Sequence, residues 1–149
     1  MQTISITSPV FAFGMIPAEY TCDGANYSPR LEFKNIPSNA KSLVLIVEDP
    51  DAQQGTWYHW VVFNLPPTTA TLEKDADIKK LGGIEGTNSF HTNKYGGPCP
   101  EMGRHSYHFK VFALDCMLDL SADAYAHDVY AALEDHIVGK GELIATYQR

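Results

Sequence analysis

Five consecutive apolar residues, Leu43–Val47, lie between Ser42 and Glu48, and this run constrains the chain more than any other feature. It is far short of the ~20 apolar residues that span a membrane as a helix, and three of the five side chains are β-branched. The run reads as a strand buried on both faces. Asp49-Pro50-Asp51-Ala52 stops it.

Two further segments have the same character. Trp57–Leu65 is aromatic and β-branched and closes at Pro66-Pro67; Tyr107–Leu114 is the third strong strand. Thr3–Thr7 alternates Ile4 and Ile6 with polar residues, the pattern of a half-buried strand, and Leu31–Phe33 and Glu142–Tyr147 complete the set. Residues 14–30 and 66–104 carry loop chemistry. A loop as long as the second is expected to be functional or internally packed. The period changes only after Ser121. Tyr125, Val129, Leu133 and Ile137 recur every four residues, so the spacing predicts an amphipathic helix capped by Ser121 and stopped by Gly139. Strands do not alternate with helices, so sheet packed on sheet with peripheral helices fits better than a doubly wound fold. The chain of 149 residues suits one domain spanning 1–149.

Charge removes whole classes of function. Eleven Lys and Arg oppose eighteen Asp and Glu, a net charge of −7. Such a chain lacks the basic surface that displaces counterions from nucleic acid or docks on anionic lipid. No apolar run approaches a membrane span, and the N-terminal residues lack a basic segment followed by an apolar one. Cys22, Cys99 and Cys116 are an odd number with no C-x-x-C pair, which suits free thiols, a reducing compartment and a cytoplasmic location.

Strand parity shows where chemistry gathers. His59 shares parity with Val61 and Phe63, and His105 and Tyr107 with Phe109 and Val111. Asp49 shares parity with Leu45 and Val47, and so does Asp51 if the chain stays extended past Pro50. Each strand thus has an apolar face that turns polar at one end. Buried polar groups left unpaired cost about 1–3 kcal/mol each, so Asp49, Asp51, His59, His105 and Tyr107 are expected to pair in a small pocket at the rim of the core. A carboxylate beside an imidazole favours the charged ring. Imidazolium groups and backbone amides from Tyr95-Gly96-Gly97-Pro98 would then hold an anion. A loop histidine at His105 and turn-forming aspartates are the plainer alternative. No phosphate-binding glycine loop, dinucleotide fingerprint or G-x-S-x-G elbow is present. No cofactor is therefore expected, and the spacing of Asp49, Asp51, His59 and His105 matches no metal motif. A catalytic role for a His–Asp pair lacks a nucleophile or oxyanion motif to support it.

Asp49-Pro50-Asp51-Ala52 followed by His59-Trp60-Val61-Val62 and Asn64-Leu65-Pro66 resembles the first signature block of the phosphatidylethanolamine-binding proteins, also called the Raf kinase inhibitor protein family. Tyr95-Gly96-Gly97-Pro98-Cys99-Pro100, then Gly103, His105, Tyr107, Phe109 and Phe112, resembles the second. Thr21–Pro29 and Gly86–Phe90 look like the compact bacterial and archaeal branch. The resemblance implies an antiparallel β-sandwich with a few peripheral helices, one of them substantial and near the C-terminus. It implies a non-enzymatic regulatory or inhibitory protein whose small cavity takes phosphate, acetate or a phosphoethanolamine-like head group. By position, Asp49, Asp51, His59, His105 and Tyr107 match the pocket, and Gly97 and Pro98 its wall. It also implies, as the alternative, an inhibitor that contacts a kinase or protease through residues 96–103 and keeps the pocket as a remnant. Homodimers occur in the bacterial branch, so a second copy of the chain is a further expected partner. Gln53, His91, Glu101 and Ser106 depart from the family's pattern, and a Glu101 facing the pocket would oppose anions.

Overall fold

The computed structural model describes residues 1–149. Nine strands and one α-helix follow in order: β1 (Gln2–Thr3), β2 (Ser5–Thr7), β3 (Leu31–Lys34), β4 (Ser42–Asp49), β5 (Trp57–Leu65), β6 (Thr71–Leu72), β7 (Ile84–Glu85), β8 (Arg104–Leu114), α1 (Ala126–Leu133) and β9 (Ile137–Gln148). The larger sheet runs β1-β9-β8-β4-β5-β7 and the smaller β2-β3-β6. All pairings are antiparallel except that of β1 with β9. The fold is the expected mainly-β sandwich, with its helix near the C-terminus.

Strand β4 is buried along its whole length, as its apolar run requires. Leu43, Leu45 and Val47 face the larger core, shared with Ile4, Ile6, Leu31 and Phe33. Val44 and Ile46 face a second core, completed by Val129 and Leu133 of α1. A strand between two apolar layers cannot carry the polar-out alternation of a surface strand.

Several boundaries differ from the sequence expectation. Thr3–Thr7 is not one strand: β1 joins the larger sheet and β2 the smaller, with Ile4 at the crossing. The helix is shorter than the spacing predicts. It starts at Ala126, where the Asp128 carboxylate accepts the Tyr125 N–H, so Ser121 is not its cap. It ends at Leu133, and Ile137 and Gly139 belong to β9. Gly139 is required by close approach, since a Cβ there would lie 2.8 Å from Pro37. The four-residue spacing ran on by coincidence into a strand whose pairing with β8 decides its conformation.

Candidate functional site

Strands β4, β5 and β8 are neighbours in the larger sheet, and one end of the three collects most of the expected polar residues. Asp49 closes β4 and is buried. Its Oδ2 takes a hydrogen bond from His105 Nδ1 of β8 at 2.6 Å, and its Oδ1 takes the Asp51 N–H at 2.9 Å. Each carboxylate oxygen thereby accepts one hydrogen bond. Tyr107, two residues beyond His105 on the same face, is buried with its ring 6.4 Å from the imidazole of His105.

His59 reaches this site by a route that parity alone does not show. Val61 and Phe63, its parity partners, face the helix-covered core, whereas Val47, Phe109 and Tyr107 face the other layer. In the β4–β5 ladder Val47 pairs with Trp60 and Glu48 with Tyr58, leaving His59 as the extra residue of a β-bulge. A bulge re-aims the side chain at the extra position. Here the His59 ring stands 5.2 Å from that of Tyr107, edge to face, with Phe90 packed at 5.6 Å. The bulge thus moves an imidazole from one core layer to the rim of the other.

The wall of the site comes from the 86–100 loop. His59 Nδ1 donates to the Gly96 carbonyl at 2.7 Å, and the Gly96 N–H returns a bond to the His59 carbonyl at 3.0 Å. The Gly97 N–H donates to Asn26 Oδ1 at 2.9 Å. A Cβ on Gly97 would sit 2.3 Å from the Tyr20 carbonyl oxygen, so only glycine fits. Pro98 has no N–H. The expected nest of free amides is therefore absent at Gly96, Gly97 and Pro98, because the glycine amides hold the loop in place. These residues shape a wall.

Electrostatics also differ from the expectation for His59. Burial pushes its pKa down, outweighing the Gly96 carbonyl, the Asp49 carboxylate and Gly97, which act the other way. The ring is held neutral with its proton on Nδ1. Its Nε2 forms no hydrogen bond to protein, and no sealed side-chain polar atom of the chain lacks a partner, so Nε2 meets solvent as an acceptor. Burial and the nearby Asp49 push the Tyr107 hydroxyl up, so it keeps its proton and remains a donor. Of the two imidazoles at the site, His105 is the one bonded directly to a carboxylate.

One expected site residue stands apart. Asp51 is exposed, because β4 ends at Asp49 and residues 50–51 turn; its contribution to the site is its main-chain N–H. Glu101 is exposed as well. Cys22 and Cys99, expected as free thiols, are joined in a disulfide, which removes the thiol argument for a reducing compartment. The sequence separation of 77 hid the pairing. It arises because the 21–26 loop packs on the site wall, with the Cys22 N–H on the Pro98 carbonyl and Gly97 on Asn26. Cys116 alone stays free. No helix is long and apolar enough to cross a membrane.

Sequence reasoning missed Asn88. Fully buried, it binds the His59 and Lys94 carbonyls and Thr92 through its amide, and so ties the loop to the bulge. An asparagine within Gly-Thr-Asn-Ser reads as a turn former, and only tertiary contact shows otherwise. Two cavities, of about 360 and 310 Å³, lie elsewhere: one beside Met15, Arg104 and Tyr147, the other beside Tyr27, Asp75 and Glu85.

Comparison with known proteins gives one answer. The family model described as phosphatidylethanolamine-binding protein matches residues 7–148. A UPF0098 protein of Methanothermobacter thermautotrophicus is 47% identical over 139 residues, covering 91% of this chain and 92% of the relative. One from Chlamydia pneumoniae is 41% identical, covering 98% and 99%. A crystal structure described as a homologue of this family from Chlamydia trachomatis superposes with a TM-score of 0.92 at 37% identity, covering 100% of this chain and 99% of that one. Escherichia coli YbcL, described as a member of the mammalian family, does so with 0.90 at 30% identity, covering 98% of each. With the family model covering nearly its whole length, the chain belongs to the phosphatidylethanolamine-binding protein family.

Proposed function

We propose that this chain is a non-enzymatic binding protein for small phosphoryl anions, with a regulatory or inhibitory role, and that Asp49, His59, Gly97, Pro98, His105 and Tyr107 form its ligand site. The observation that carries the reading is the convergence of an Asp49–His105 pair with its carboxylate buried, a bulged His59 and a protonated Tyr107 at one end of three adjacent strands. Asp49 keeps His105 oriented through Nδ1, leaving Nε2 as the ring's other hydrogen-bonding atom. Tyr107 supplies an O–H donor and His59 an acceptor.

This donor and acceptor set favours an anion that itself carries a hydroxyl hydrogen. Protonated phosphate can accept from Tyr107 and donate to His59 Nε2, whereas sulfate at neutral pH has no hydrogen to give. An acceptor facing an acceptor leaves a buried polar group unsatisfied, at about 1–3 kcal/mol. Calorimetric titration with phosphate, phosphoethanolamine, acetate and sulfate tests the reading. Saturable phosphate binding, about tenfold or more tighter than sulfate and weakened in His59→Gln, is the expected result. Equal affinity for all four, or none for any, overturns it.

The disulfide favours a second reading, in which the surface around residues 96–103 contacts a kinase or protease. Cys99 anchors this loop to Cys22, and Met102 projects from it, 79% exposed. Ordering a loop in advance lowers the entropy cost of docking. Inhibition of such an enzyme that survives Asp49→Ala with His59→Ala would favour this reading over the first.

A further inference from the structure

At the far end of β8, past Leu114, the chain places three different metal-ligating side chains together. Asp115 follows β8 directly and His136 directly precedes β9. The β8–β9 register ends with Leu114 opposite Ile137. Asp115 and His136 form the next rung, closed by the Asp115 N–H on the His136 carbonyl at 3.0 Å. The rung brings the His136 Nδ1 within 2.9 Å of Asp115 Oδ1. Cys116 adds its thiol, and one ligand atom from each of the three lies within 4.8 Å of the other two.

The backbones carrying these ligands are fixed independently of the side chains. The Ser42 hydroxyl donates to the Cys116 carbonyl at 2.6 Å. The His136 N–H is held by the Leu133 carbonyl at 2.9 Å, at the end of α1. The Leu118 N–H, two residues past the thiol, donates to the buried Asn64. The donors therefore approach one another on an ordered frame, and the exposed Asp115 and His136 side chains are free to adjust.

We infer that Asp115, Cys116 and His136 form a binding site for a divalent transition-metal ion of borderline softness, Zn²⁺ foremost. Thiolate, imidazole and carboxylate together suit zinc better than calcium or magnesium, which take oxygen ligands. Three protein ligands leave a fourth tetrahedral position for water or an incoming group. The Cys116 thiol gives its proton to solvent as the ion binds. Carboxylate and thiolate together balance the charge of the ion.

The test uses the full chain with its Cys22–Cys99 disulfide intact, which leaves one thiol available. Co²⁺ serves as a spectroscopic stand-in for Zn²⁺. One equivalent is expected to give a thiolate-to-cobalt charge-transfer band in the near ultraviolet, bleached by one equivalent of Zn²⁺. Cys116→Ser removes the band, and His136→Ala and Asp115→Ala each weaken cobalt binding tenfold or more. His136→Ala keeps the thiol and gives a second variant should Cys116→Ser fold poorly. No saturable band up to millimolar Co²⁺, a band that Zn²⁺ does not bleach, or unchanged cobalt affinity in His136→Ala overturns the assignment.

Discussion

The two ends of β8 each carry an aspartate–histidine pair, and the pairs differ in surroundings more than in geometry. Asp49 and His105 meet at 2.6 Å, with 4% of the carboxylate side chain and 24% of the imidazole exposed. Asp115 and His136 meet at 2.9 Å, but 49% and 45% of their side chains are exposed. At the first end the carboxylate has little water to replace a lost partner, so the pair fixes the position of a ring at low dielectric. At the second, water solvates either partner alone, and the pair itself stabilises the fold little. One chemistry thus serves two purposes: a rigid site beneath the rim of the core, and adjustable ligands at its edge.

The disulfide bears most heavily on the first end, where it ties the wall of the site to the 21–26 loop. Cys22→Ser with Cys99→Ser is expected to cost about 3–4 kcal/mol in urea unfolding. The same variant should weaken phosphate while leaving cobalt binding unchanged. An equal loss at both sites would break the separation of the two ends.

Asp49→Ala comes next, at about 3 kcal/mol, because it strands His105 and the Asp51 N–H together. Asp115→Ala is expected to cost about 0.5 kcal/mol or less. Similar costs in the two variants, measured by denaturant midpoints, would mean that burial does not distinguish the pairs.

Acid should separate His59 from the rest. Its folded pKa lies below the unfolded value near 6.5, so the unfolded chain binds the proton more readily. Its neutral form is accommodated fully above about pH 6.5. Stability then falls as pH drops through that value. His59→Gln should remove that slope, read as the difference between the two stability profiles. A wild-type profile that rises toward acid relative to the variant would show that a charged His59 is favoured in the fold.

Much of this was legible in the sequence, for identifiable reasons. Leu43–Val47 admitted a single reading, because an unbroken apolar run rich in β-branched residues, in a chain of mixed composition, must be covered on both sides. Asp49, His105 and Tyr107 fell together because strand parity holds where the ladder is regular. Parity failed for His59, since a bulge depends on how β5 meets β4 and leaves no local mark. It failed for Asp51 because the strand ends one turn earlier than an extended chain would. The Cys22–Cys99 bond and the Asp115–Cys116–His136 group depend on contacts between segments distant in sequence, to which periodicity is blind. The sign of the His59 shift required knowing that burial outweighs a carboxylate that is close but bonded to another ring.

The central claim is that a neutral, bulged His59 and an Asp49-oriented His105 together receive a phosphoryl anion. Nitrogen-15 NMR of the histidine rings during phosphate titration, with sulfate in parallel, tests it most directly. Before ligand, His59 should show a protonated Nδ1 and a bare Nε2. Phosphate should shift the His59 Nε2 and the His105 ring saturably with one common affinity, and sulfate should leave the His59 Nε2 largely in place. Ring nitrogens unmoved by millimolar phosphate, or a doubly protonated His59 at neutral pH, would contradict the account.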